Sequence, residues 1–146
     1  MTKAKNDETI QDIAELLPYI DYIFPNETEI SLLTGETDPY RNVQTLLEMG
    51  VKTAVIKCGE KGCIIGNEKG ICRVDAVPAE QCVDTTGAGD TFVSGFLWAL
   101  SEGWIDLECA KFACAAASFA VESVGATSGV RSLEEIQQRY MVNQKK

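Results

Sequence analysis

Apolar positions along this chain change period several times, and each change marks an element. Residues 8–17 (ETIQDIAELL) place Ile10, Ile13, Leu16 and Leu17 at helical intervals, so a helix is predicted that Pro18 stops. DYIFPN then reads as a short buried strand ended by Pro25, after which Asn26 caps a helix over ETEISLLT with Gly35 as its stop. A further helix is predicted over 38–49, leading through Gly50 into KTAVIK. KTAVIK, GCIIGN and GICRVDAV are short β-rich runs separated by the turn signals GEKG and NEKG, the pattern of tightly joined strands. Phe92, Val93, Phe96, Leu97 and Leu100 recur at helical spacing over 91–100, closed by Gly103. Asp106 is positioned to cap the alanine-rich helix after it, with Gly125 as its end, and one more helix completes the chain.

Helices and strands in this order predict a layered α/β domain, and no internal repeat or low-complexity linker divides residues 1–146. At 146 residues, 45% hydrophobic and 24% charged, the chain can bury a sizeable core. No apolar run approaches membrane-spanning length and MTKAKNDETIQD lacks the features of a secretory signal, so the expected compartment is cytoplasmic. Thirteen basic against twenty-two acidic residues give a net charge of −9, which disfavours nucleic acid as a partner. A small phosphate ligand is still compatible, because backbone N–H groups and one local lysine can hold it whatever the total charge.

Six cysteines form no C-x-x-C pair, and there is no histidine. Zinc is therefore disfavoured, and the cysteines read as small hydrophobes. With no imidazole, general-base chemistry falls to a carboxylate, lysine or tyrosine.

Such a carboxylate stands in VDTTGAGDTF, Val83 to Phe92. Its glycines allow backbone angles closed to other residues, and its amides converge where the next helix leaves its first N–H groups unpaired. A negative charge at that end gains about 0.3–1 kcal/mol from the helix dipole, and the same field favours an ionised Asp90. On local chemistry alone, Asp90 is equally well read as an ordinary helix cap and as a carboxylate aimed at what the turn holds. A dinucleotide fingerprint fits poorly: Phe92 stands at the third glycine position, and a helix comes next where a strand belongs. No G-x-x-x-x-G-K-[ST] loop occurs either.

DTTGAGDTFVSGFL, Asp84 to Leu97, resembles the second signature of the ribokinase-like (PfkB) carbohydrate kinases. NETE, Asn26 to Glu29, resembles that family's N-x-x-E element, and KCGEKG, Lys57 to Gly62, resembles its nucleotide-phosphate turn. The resemblance implies a three-layer α/β/α, Rossmann-like sandwich of the ribokinase-like type, of which this chain matches the carboxyl-terminal half. Asp90 is then the catalytic base, and Gly87, Ala88 and Gly89 form an anion hole. Lys57, Gly59, Glu60 and Gly62 fall along the ATP phosphates, and Cys114 falls where the family contacts adenine. Asn26 and Glu29 match the pair that positions Mg2+ through its waters. Asp84, Thr86, Ser123 and Gly125 match positions that hold K+ in some relatives, although Gly129 replaces a serine expected further on.

The activity that the resemblance implies is an ATP-dependent transfer to a hydroxyl of a sugar or related small alcohol. The alternative is a nucleotide-binding or assembly module that lacks the acceptor pocket and is inactive alone. Either way, a part-domain exposes sheet edge and core, so self-association as a homo-oligomer is expected.

Overall fold

The computed structural model describes residues 9–79, 87–122 and 132–144. They fall into two compact units: Met1–Gly59 with Cys63–Arg73, and Glu60–Gly62 with Val74–Lys146. Each is built around its own packing problem.

In the first unit, β1 (Tyr22–Ile23) pairs in parallel with β2 (Thr53–Lys57), and β2 pairs antiparallel with β3 (Cys63–Asn67). β4 (Gly70–Val74) completes a mixed sheet of order β1-β2-β3-β4. The β2–β3 register runs from Ala54 opposite Gly66 to Lys57 opposite Cys63. Helices α1 (Glu27–Thr34) and α2 (Pro39–Glu48) supply the apolar partners of this sheet, and Leu17, Ile30, Val43, Leu46, Ala54 and Ile56 form the centre of the core.

Both helices have the boundaries their sequences encode. Gly35 closes α1 at φ 76°, and the Asp38 carboxylate accepts the Tyr40 amide at 2.9 Å ahead of Pro39. Asn42 of α2 is fully buried; its amide donates to the Glu36 carbonyl at 2.9 Å and its oxygen accepts the Thr34 hydroxyl at 2.7 Å. That pairing removes the cost of burying it. Gly66 has a different purpose: a Cβ there would lie 2.4 Å from Val43 Cγ1, so α2 can approach β3 only over glycine.

The predicted helix over 8–17 is not a continuous α-helix. It forms two 3₁₀ turns, Ile10–Ile13 and Leu17–Tyr19. The segment closes its backbone bonds three residues back, Ala14 to Gln11 and Leu16 to Ile13, and Pro18 has no N–H with which to continue a ladder. The strand predicted at DYIFPN shrinks to two half-buried residues.

The second unit holds α3 (Ala88–Ser101), α4 (Asp106–Ala120) and α5 (Leu133–Gln144). α3 and α4 pack closely because a Cβ on Gly95 would already stand 2.9 Å from that of Ala116. Phe92, Phe96 and Ala99 of α3 are buried, as are ten residues of α4. Asp106 is not the cap of α4: it is the first helical residue, and Ile105 occupies the capping position in an extended conformation. Trp98, Trp104, Phe112 and Tyr140 form an aromatic cluster, with centroids 5.0 Å apart for Trp98–Phe112 and 5.3 Å for Trp104–Tyr140.

Candidate functional site

In the first unit, two motifs far apart in the chain become neighbours. The parallel pairing of β1 and β2 runs past the strand ends, where Asn26 and Lys57 form a bridge and the Lys57 amide donates to the Pro25 carbonyl at 2.9 Å. Both residues therefore stand at the carboxyl ends of adjacent parallel strands, where ligands of open α/β sheets bind. The sheet, more than either motif, makes this a candidate site.

Asn26 is the N-cap of α1 in a reciprocal box. Its Oδ1 accepts the Glu29 amide at 2.7 Å, and Glu29 Oε1 accepts the Asn26 amide at 3.0 Å. Asn26 is exposed and Glu29 is only 9% exposed. The capping role is therefore realised, and it holds two oxygen-bearing side chains rigidly at the strand ends. Both carry hard oxygen donors. A donor pair of this kind suits Mg2+, which keeps most of its waters, and does not amount to a full cage.

After Lys57 the chain turns through Gly59, at φ 58°, into the 3₁₀ turn Gly59–Lys61. Gly59 and Glu60 are exposed. Gly62 is at φ 91°, and a Cβ on it would lie 1.9 Å from the Val74 carbonyl oxygen. No side chain fits at that position. The resemblance alone assigns Gly62 to a ligand; the geometry gives it a packing role as well.

In the second unit, Gly87 is the N-cap of α3, in the left-handed conformation at φ 82°. Asp90 is thus the third residue of the helix and not its cap, so the cap reading of Asp90 is incorrect. The predicted start at residue 91 was late because Gly87 caps with backbone geometry and offers no side-chain signal. The Gly87 carbonyl accepts both the amide and the hydroxyl of Thr91, each at 3.0 Å, which fixes the turn to the helix. Ala88, Gly89 and Asp90 supply the first-turn amides that have no partner within the helix, and the Asp90 side chain is exposed. First-turn amides without a helical partner and an exposed carboxylate therefore share one helix end.

Cys114, the candidate adenine contact, is 5% exposed within α4. Asp84, Thr86, Ser123 and Gly125 lie outside the described residues. Of the described cysteines, Cys58, Cys63, Cys109 and Cys114 are buried and Cys72 is exposed. Burial, reinforced by Asp106, pushes the Cys109 thiol up to about 11. Burial and then the hydrogen bond to Glu108 push the Tyr140 phenol up to about 12. Among the described residues, no group of three or more His, Cys, Asp or Glu side chains is arranged to hold a metal.

Two features had no signal in the sequence. Thr91 reads as an ordinary helix residue, and its hydroxyl locks the glycine turn. Arg139 reads as surface charge, but it is largely buried and donates to Glu122 at 2.6 Å and to Ser118 at 2.9 Å.

Residues 2–133 match the profile of the pfkB family carbohydrate kinases. A ribokinase of Arabidopsis thaliana is 45% identical over 119 residues, covering 77% of this chain and 31% of its own length. A ribokinase of Haemophilus influenzae is 38% identical over 126 residues, covering 83% of this chain and 41% of its own. Among solved structures, Arabidopsis thaliana ribokinase complexed with ribose and ATP superposes with a TM-score of 0.80 at 38% identity, over 87% of this chain and 43% of that one. An Escherichia coli protein assigned as a ribokinase II, solved with ATP and Mg2+, gives a TM-score of 0.79 at 28% identity, over 90% of this chain and 42% of that one. The chain thus spans less than half the length of these relatives. Its mixed α/β architecture is theirs, as the motifs implied. With an exposed acid in the first turn of α3 and a lysine at the parallel strand ends, on a fold matched over nearly its whole length, this chain belongs to the pfkB family of carbohydrate kinases.

Proposed function

We propose that this chain is the nucleotide-binding and base-carrying portion of an ATP-dependent carbohydrate kinase. The observation that carries the reading is the helix end at Gly87–Asp90, where a left-handed glycine opens the first-turn amides and the third helical residue presents an exposed carboxylate. Phosphoryl transfer through a loose transition state needs positioning and charge stabilisation more than a strong base. Asp90 orients a sugar hydroxyl and accepts its proton as the oxygen bonds to the γ-phosphorus. The bond from that phosphorus to the bridging oxygen breaks, and ADP leaves. The amides of Gly87, Ala88 and Gly89 meet the negative charge on the transferred oxygens.

Lys57, Gly59, Glu60 and Gly62 would line the nucleotide phosphates in this reading, and Asn26 and Glu29 would hold the waters of Mg2+. When bound, that ion neutralises phosphate charge. The ATP in the Arabidopsis relative, and the ATP and Mg2+ in the Escherichia coli one, support this assignment of ligands. Potassium at Asp84, Thr86, Ser123 and Gly125 rests on the motif match alone.

Asp90→Asn tests the reading. Sugar-phosphate formation should fall by at least about a thousandfold, while ATP affinity stays within about twofold of the unaltered protein. Near-normal turnover would remove Asp90 from the role of base.

The second reading is a nucleotide-binding or assembly module without transfer activity of its own. Incubating the chain with Mg-ATP and a panel of pentoses, hexoses and nucleosides separates the two. Sugar phosphate from this chain alone excludes the second, and ATP binding without product supports it.

A further inference from the structure

α5 contributes no fully buried residue, yet it is docked on α4. Two consecutive residues, Arg139 and Tyr140, contribute to holding it there. Tyr140 packs on Trp104 and Phe112 and donates to Glu108 Oε2 at 2.7 Å. Arg139 places its guanidinium 3.6 Å from the centre of the Phe119 ring while donating to Ser118 Oγ at 2.9 Å and Glu122 Oε1 at 2.6 Å. Ser118 is prepared for this, because its own proton goes to the Ala115 carbonyl at 2.6 Å and leaves the oxygen to accept. The side chains of the ion pair are 17% and 9% exposed.

Such a pair is a poor source of stability, since desolvation cancels most of the attraction and an apolar replacement of both partners is commonly neutral. What it supplies is geometry. The surface of α4 is rich in alanine, and small side chains offer shallow ridges that specify sliding and rotation weakly. One guanidinium nitrogen bonded both to Ser118 on α4 and to Glu122 just past its end, with the Phe119 ring beneath it, ties α5 to one position along α4. Ser118 lies one turn beyond Cys114, the residue at the proposed adenine position.

We infer that Arg139 is a positioning residue for the nucleoside end of the ATP site, acting through Ser118 and Glu122 to set the register of α4. This rests on the nucleotide-binding reading of the chain. It predicts a defect confined to recognition of the base, because the phosphates are assigned to other elements.

The test is the Arg139→Met/Glu122→Leu double variant, which removes both charges together and so avoids stranding either in the interior. Mg-ATP and tripolyphosphate are titrated against the full chain by calorimetry, beside thermal unfolding. The expected result is a melting temperature within about 3 °C of the unaltered chain, ATP affinity weakened about tenfold or more, and tripolyphosphate affinity unchanged. Should Arg139→Met alone fail to fold, the double variant still decides. Unchanged ATP affinity in the double variant, or equal weakening of both ligands, would overturn the inference and leave the nucleotide reading standing. Failure of the unaltered chain to bind Mg-ATP would instead overturn that reading, and the positioning role with it.

Discussion

Single positions in this chain are constrained by backbone before they are constrained by chemistry. Gly87 sits at φ 82°, where a side chain costs about 1–2 kcal/mol. Gly87→Ala should lower stability by that amount in urea titration and weaken anion binding, because the first-turn amides would be re-aimed. Gly62 is stricter, since its Cβ would meet the Val74 carbonyl at 1.9 Å. Gly62→Ala is expected to cost more than about 2 kcal/mol, and a loss below about 0.5 kcal/mol would contradict the packing described. Asn26→Ala removes the acceptor for the Glu29 amide and should cost about 1 kcal/mol. Among the described cysteines, Cys72 alone is exposed, so Ellman's reagent should label it before Cys58, Cys63, Cys109 and Cys114. Cys109, with its thiol pushed up to about 11, should react only on unfolding. The glycines and the acid were legible in the sequence because backbone freedom and charge are properties of single residues. That Asp90 is the third helical residue was not legible, because a left-handed glycine caps without a side chain.

At the scale of elements, the attachment of α5 carries a pH dependence. The Tyr140 phenol is pushed from 10.0 up to about 12 in the folded chain by burial and the bond to Glu108, so the folded state holds that proton more tightly than the unfolded state. Its contribution is complete below pH 10 and is lost as pH rises through about 12. Alkaline unfolding followed by circular dichroism should therefore show a loss of stability across that window, smaller in Tyr140→Phe. An identical profile in the variant would remove Tyr140 as the cause. Helices α1 and α2 were readable with their ends, since their caps are local side chains and glycines. The 3₁₀ turns around Pro18 were not, because apolar spacing is common to both helix types and the difference lies in how many backbone bonds the segment can close. The Arg139 contacts with Ser118 and Glu122 were also hidden, because no periodicity links residues on different helices.

For the whole molecule, the relevant surfaces are apolar. Ile105, Met141 and Val142 are 60%, 57% and 55% exposed, and β1 and β4 are the end strands of the described sheet. Self-association is the expected outcome, seen as a sedimentation coefficient that rises with concentration; a single monomer species across that range would contradict it. No helix among the described residues is long and apolar enough to cross a membrane. By itself, the sequence determined the α/β class and the family, because helical period, glycine turns and short motifs are local and survive without the rest of the fold. Tertiary structure alone decided that Asn26 and Lys57 share the ends of two parallel strands, that Gly62 faces a carbonyl, and that Arg139 is largely buried. Each of those depends on which distant segments the sheet and helices bring together, and strand pairing and helix docking are set by packing between elements, which no single stretch of chain encodes.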